Sequence, residues 1–322
     1  MKTISYLAQD GELVAIIPRS FCNGVYFKQF REFLLQNTNI KHIHVFNSRN
    51  QAFKDDDVLQ ENIIIKLKKT KEVQQEIVVS HCDGLDFHNM NKQTYDRSEI
   101  VLDSDANKFI RIPISEQINP LDTSSNLVSF ENLEINVSTG PIVDFRTTHL
   151  LVKDESGEIP LLYPQHFDNG SIKWPLKEFK KFNSINFDEN IKSSFYEAGT
   201  YCLVKRFSTK EEPKRISTVV VQSDSFNSQD KIAFENHLNV FHYKKKGLDD
   251  DLARGLSAYL NSSFIDDYFR RFSGHTQVNV SDLKSLPYLP REKLISLGKF
   301  TKANDHQQIE QKIKELILGN ND

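Results

Sequence analysis

An apolar run that follows a turn and leads into an amphipathic helix leaves few folds open. Glu12 to Pro18 (ELVAIIP) comes directly after Asp10-Gly11, a turn dipeptide, and predicts a buried strand. Asn23 stands where it can cap a helix. Tyr26, Phe30, Phe33 and Leu34 then recur at helical spacing, with an end near Asn37. Ile40 to Phe46 (IKHIHVF) alternates apolar and polar residues as a half-buried strand does, and Asn62 to Leu67 (NIIIKL) predicts another strand beyond a polar loop at 47–57. The order strand, helix, strand, strand makes the first 70 residues α/β. Gln74 to Ser80 and Phe109 to Ile114 continue in strands, with 83–98 as a polar loop between them. Pro120 and the Ser, Asn and Asp residues around it, over 115–125, predict a domain boundary.

The second half is mixed. Leu150 to Lys153 and Ile159 to Tyr163 read as strands around Ser156-Gly157, and Tyr201 to Phe207 and Ile216 to Gln222 as strands around a charged loop. Leu248 to Leu260 has helical spacing, with Asp249, Asp250 and Asp251 where carboxylates suit the helix dipole. Further helices are expected over Ser263 to Phe272, ending at Gly274, and over Asp305 to Leu318.

Composition narrows the classes. With 38% hydrophobic and 26% charged residues, 322 residues suffice for two globular domains. No run approaches the ~18 apolar residues of a membrane span, and Met1 to Asp10 lacks the pattern of a signal peptide. Cys22, Cys82 and Cys202 are far apart, so neither a zinc ribbon nor a disulfide framework is expected, and the cytoplasm is the expected compartment. His42 with His44, and His81 with Asp83 around Cys82, lack a third ligand at metal-site spacing, so no metal is expected. Asp144, Lys153 and Glu158 do not follow the order of a metal-nuclease hairpin. Neither GxGxxG nor GxxxxGK[ST] occurs, so both standard phosphate cradles are missing.

Two segments carry candidate chemistry. Residues 171–220 hold ten Lys and Arg against six Asp and Glu, in a chain of net charge −3. The loop Lys205 to Ile216 (KRFSTKEEPKRI) lies there, and Trp174, Phe179, Phe182, Phe187, Phe195, Tyr196, Tyr201 and Phe207 are interleaved. Cationic loops on an aromatic frame suit a phosphate backbone, although a solvated charged face over an ordinary core has the same composition. Gly274 to Leu283 (GHTQVNVSDL) offers His275, Thr276, Gln277 and Asn279 as donors and acceptors. Gln and Asn pair with adenine edges, and the alternative is a capped turn in which Ser281 or Asp282 starts a short helix.

The runs GELVAIIPRSFCNGVYFKQFR (11–31) and NQAFKDDDVLQENIIIKL (50–67) resemble gamma-class DNA adenine-N6 methyltransferases of restriction–modification systems. TGPIVDFR (139–146), YCLVKRFSTKEEPKRI (201–216), FENHLNVFH (234–242) and GHTQVNVSDL resemble the target-recognition part of the same family, in the family's order. The resemblance covers nearly the whole chain. It implies a fold made of the C-terminal part of a Rossmann-like methyltransferase sheet, over 1–120, followed by an α+β target-recognition domain, over 121–322. It also implies a departure. The family holds S-adenosylmethionine on its early strands and grips the flipped adenine with Asn-Pro-Pro-aromatic, and neither motif is present. Asn119-Pro120-Leu121 is not the second of them and falls in the wrong place.

By that comparison the chain starts at the family's fifth strand. It should form a parallel strand–helix–strand and then an antiparallel strand, with the first strand's edge unpaired and apolar. Phe53 stands where the family stacks an aromatic on the flipped base. The DNA contacts implied are Arg146, Lys205, Arg206, Lys210, Lys214, Arg215, His275, Thr276, Gln277 and Asn279. The expected partners are double-stranded DNA and a chain carrying the S-adenosylmethionine and Asn-Pro-Pro-aromatic motifs. This chain alone is expected to bind no S-adenosylmethionine and to be inactive. An inactive gene fragment and a non-catalytic DNA-binding module are the alternatives.

Overall fold

The structure is a computed structural model and describes residues 1–46, 61–82, 86–103, 105–113, 119–209, 211–222, 226, 230–273 and 276–319. The chain divides into two compact units, Met1–Ile118 with Asp267–His275, and Asn119–Asp266 with Thr276–Asp322. Both mix helices and strands.

The first unit is built on one five-stranded sheet of β1 (Glu12–Pro18), β2 (Asn39–Phe46), β3 (Asn62–Lys68), β4 (Glu76–Cys82) and β5 (Asn91–Asp96), in the order β1-β3-β2-β4-β5. β3 runs antiparallel to both neighbours, and β2 is parallel to β4. The alternation in NIIIKLK decides which side of β3 is buried. Ile63, Ile65 and Leu67 face the core with Ile43, Ile40 and Leu34, the last from α2 (Lys28–Asn37), while α1 (Lys2–Tyr6) adds Ile4. β1 is an edge strand among the described residues. Leu13, Ala15 and Ile17 pack on the core, but Val14 and Ile16 on the opposite face are 61% and 58% exposed.

Three local expectations are corrected here. Asn23 does not cap the helix: it ends a 3₁₀ turn, Arg19–Cys22, a second 3₁₀ turn, Val25–Phe27, intervenes, and α2 starts at Lys28. The buried Arg31 guanidinium holds this bend by donating to the carbonyls of Phe21, Gly24 and Asn107. The polar stretch 83–98 contains β5, which pairs antiparallel with β4 from His81↔Asn91 to Glu76↔Asp96. Its side chains are polar on both faces, so it shows no hydrophobic alternation. Of FIRIPI, Phe109 to Pro113 are not a strand, and Ile114 lies outside the described residues. Ile110 makes an isolated bridge to Val101, Ile110 and Ile112 donate singly to the carbonyls of Cys22 and Arg271, and Arg111 is paired with Asp105 at 2.9 Å.

Among its described residues the second unit has two sheets and a hairpin. One sheet takes β6 (Asn136–Thr139), β13 (Tyr201–Lys205), β14 (Thr218–Val221) and β16 (Leu238–His242), in the order β14-β13-β16-β6, all antiparallel. The other takes β7 (Leu151–Val152), β8 (Ile159–Leu162), β11 (Ser184–Ile185), β12 (Tyr196–Glu197) and β15 (Lys231–Phe234), in the order β12-β15-β8-β11-β7. β9 (Phe167–Asp168) and β10 (Ser171–Ile172) form the hairpin. Tyr196, Tyr201, Leu203, Val219, Phe234 and Val240 share a core between the sheets.

α3 (Asp250–Leu260) lies on β13 and β14, and Asp249 caps it by accepting from the backbone N–H of Asp251 and Leu252. α6 (Arg291–Thr301) crosses α3 where two glycines meet backbone: a Cβ on Gly255 would lie 1.8 Å from the Leu294 carbonyl oxygen, and one on Gly298 equally close to that of Asp251. α7 (His306–Leu318) starts with a reciprocal cap between Asp305 and Gln308. α4 (Ser263–Phe272) begins in this unit and ends in the first, and α5 (Val280–Lys284) follows it. No helix of the described residues is long and apolar enough to cross a membrane.

Candidate nucleic-acid interface

β13 is central in its sheet, and its first four residues, YCLV, are buried. The basic run leaves from its end. Lys205 is half-buried, with its ammonium 5.3 Å from the centre of the Phe167 ring. Arg206 donates its backbone N–H to the His237 carbonyl at 2.8 Å and its guanidinium to the Asn236 carbonyl at 3.1 Å. Phe207 is 42% exposed.

The polar run lies alongside this segment. The Arg206 carbonyl accepts from the Val278 N–H at 2.7 Å, Phe207 bridges Gln277 antiparallel, and the Ser208 N–H donates to the Thr276 carbonyl at 3.0 Å. Asn239 on β16 donates its side-chain amide to the Val278 carbonyl at 2.7 Å. Backbone pairing therefore joins Arg206, Phe207 and Ser208 to Thr276, Gln277 and Val278, although about 70 residues of chain separate them. Lys205, Arg206 and Arg146 enter no ion pair among the described residues.

The remaining expected contacts fall in different places. Arg146 is exposed on a short helix, Asp144–Thr147, with its guanidinium 5.4 Å from the ring of its neighbour Phe145. Asn279 is the N-cap of α5, and the Asp282 carboxylate accepts from its backbone N–H at 2.9 Å. The capped-turn reading thus applies to Asn279, whereas Gln277 lies on the pairing strand. Lys214 bonds the Asn261 carbonyl. Phe53, Lys210 and His275 lie outside the described residues.

Arg215 is corrected. Its side chain is 1% exposed, its Nε donates to Ser208 Oγ at 3.1 Å, and Ser208 Oγ donates to the Arg215 carbonyl at 2.6 Å. The Asp266 carboxylate accepts from its backbone N–H at 2.6 Å. This guanidinium is buried within the loop, where a phosphate contact would need the loop to open.

Sequence reasoning missed two members of the same surface. Glu235 is 2% exposed and accepts from the His237 backbone N–H at 2.9 Å, with His237 Nδ1 at 2.5 Å from its other oxygen. Burial raises the Glu235 carboxyl above its ordinary range, and the bonds from His237 oppose that rise. The signal was present in FENHLNVFH: a polar ENH breaks two apolar runs that become β15 and β16.

No protein-family model matches this chain. Among curated proteins, it is 44% identical to the Type II methyltransferase M.BsuBI of Bacillus subtilis over 323 residues, which is 98% of this chain and 64% of that enzyme. It is 41% identical to the Type II methyltransferase M.PstI of Providencia stuartii over 319 residues, 98% of this chain and 62% of that enzyme. The chain is similar to type II methyltransferases. It spans less than two thirds of the length of these relatives. Among solved structures, the Type IIL restriction-modification enzyme MmeI in complex with DNA matches with a TM-score of 0.48 and 13% identity, over 95% of this chain and 46% of that one. The type IIG restriction endonuclease BpuSI matches with a TM-score of 0.32 and 12% identity, over 98% and 48%.

In the first unit, the cavity between Leu35, Ile77 and Arg97 offers about 10 Å³, room for a single water. No group of three or more His, Cys, Asp or Glu side chains that could hold a metal occurs among the described residues.

Proposed function

We propose that this chain is the DNA-recognising portion of a type II, site-specific DNA adenine-N6 methyltransferase of a restriction–modification system. Residues 1–120 complete the catalytic sheet, and residues 121–322 recognise the target in double-stranded DNA. The observation that carries the reading is the ladder joining residues 206–208 to 276–278, because it sets unpaired cations beside neutral base-reading side chains on one surface. The type II methyltransferase relatives support the reaction class.

S-adenosylmethionine and the adenine-gripping acceptors belong to another part of the complete enzyme. Removing a proton from the adenine amine while a methyl group is held in line needs acceptors fixed on both, and this chain's sequence holds neither motif. The exposed Val14 and Ile16 on edge strand β1 suit the surface on which that part packs.

Fluorescence anisotropy of this chain on duplex DNA at a series of salt concentrations tests the DNA reading. Binding should weaken steeply with salt, with about 0.9 in log–log slope for each phosphate contacted. Binding indifferent to salt would refute it. Calorimetry with S-adenosylmethionine should show no micromolar binding by this chain until a polypeptide carrying the two missing motifs is added.

A further inference from the structure

Phe207, a member of the ladder, also lines an open pocket of about 380 Å³ together with Tyr163, Gln165, Lys181, Glu235 and His237. One carboxylate braces its wall: Asp144 accepts from the Tyr163 hydroxyl and from the Lys181 ammonium, both at 2.8 Å. The chain around Glu235 is held by the turn after β6, where the Ile142 N–H donates to the Phe234 carbonyl and the Asn236 N–H donates to the Ile142 carbonyl.

His237 is the group this frame presents. A carboxylate only accepts, so the Glu235 oxygen 2.5 Å away takes the proton on Nδ1. With the proton on Nδ1 and none on Nε2, Nε2 is an acceptor, and it has no partner among the described residues. The side chain is 49% exposed, and its ring centre lies 5.0 Å from that of Phe207. Gln165 is exposed at the same pocket.

The charges exclude a phosphate cradle. Lys181 is paired with Asp144, and Glu235 lies beneath His237, which leaves hydrogen-bonding groups and an aromatic face at the opening. The guanidinium of Arg206 bonds the carbonyl of Asn236, next in sequence to His237, so a backbone-contacting cation stands at the rim.

We propose that this pocket reads one base-pair edge in the major groove. His237 Nε2 accepts from an exocyclic amino group of adenine or cytosine, the Gln165 amide bonds the same or the adjacent pair, and Phe207 supplies the apolar contact. The proposal rests on the DNA-recognition reading above and deepens it by naming the specificity-determining residues.

The test uses the full chain and a duplex pool with a randomised centre, sequencing what binds. Wild type should select a preferred sequence. His237→Ala should lose preference at one or two adjacent base pairs, by about tenfold or more, and keep both the remaining preference and its affinity for the unselected pool. Gln165→Ala, on an exposed side chain that folding does not need, should lose preference in the same neighbourhood. Lys205→Ala/Arg206→Ala should weaken binding evenly and leave the preference intact. An unchanged preference in both His237→Ala and Gln165→Ala overturns the pocket assignment alone. No preference in wild type overturns the DNA-recognition reading and the pocket with it.

Discussion

Two arginines of one loop, nine residues apart, do different work, and burial separates them. Arg206 is half-buried and, among the described residues, bonds only the Asn236 carbonyl through its side chain, whereas Arg215 is 1% exposed and bonded into the loop's own backbone and side chains. Arg215→Ala removes a buried guanidinium and leaves Ser208 Oγ without it, so it should cost about 3 kcal/mol of stability, read by urea denaturation. Lys205→Ala/Arg206→Ala should cost far less, because only one side-chain bond, to Asn236, is lost. The same pair should lower the salt slope of DNA binding by up to about 1.8, at 0.9 for each contact. The basic run was legible as a run, but the sequence did not tell which of its cations turn inward. That depends on Ser208 and Asp266, and Asp266 is 51 residues from Arg215. His237 was hidden for a similar reason. A histidine between two buried strands looks like a core residue until the buried Glu235 beneath it shows which way its ring is held.

Among the elements, helices with a side-chain cap were readable and polar edges were not. Asp249 and Asp305 announce α3 and α7, because a carboxylate ahead of an apolar period satisfies the free N–H groups of the first turn. β5 (NKQTYD) carries no apolar alternation, since Tyr95 is the one large apolar side chain it turns to the core, and α6 is preceded by Pro290 without a side-chain cap. Neither close approach along α3 was visible in sequence, although both can be tested. Gly255→Ala gains about 1 kcal/mol of helix propensity but drives a methyl group into the Leu294 carbonyl, so a net loss of about 2 kcal/mol is expected from thermal unfolding. β1 gives the opposite case. Val14→Thr/Ile16→Thr alters only the exposed face of an edge strand and should change stability by no more than about 0.5 kcal/mol. Sedimentation should then show less self-association than in wild type. Unfolding of this double variant would mean that the face is covered in the isolated chain.

At the scale of the whole molecule, buried histidines govern the response to acid. His42, His44, His81, His166 and His242 all have pKa values lowered, with burial as the largest cause in each. They lie in both units, so acid should loosen the fold throughout. His242 is the clearest case. Burial, helped by the charge of Lys245, lowers it from 6.5 to about 4. Its ring is occupied on both sides, with Ser138 Oγ 3.0 Å from Nε2 and the Lys245 N–H donating to Nδ1 at 3.0 Å. A proton on Nδ1 would face that N–H, so the folded state resists it. Above pH 6.5 the ring is neutral whether the chain is folded or not, and it contributes no pH dependence. Between 6.5 and 4 the unfolded chain binds a proton that the folded chain refuses. Stability therefore falls as the pH is lowered through this window, by up to about 1.4 kcal/mol per pH unit for this group alone. Urea denaturation at steps from pH 7.5 to 4.5 should show a loss that begins near 6.5, well above the carboxylate range. His242→Gln should flatten that slope by about one proton, at the cost of some stability at pH 7.5. An unaltered slope in that variant would assign the acid response to the other four rings.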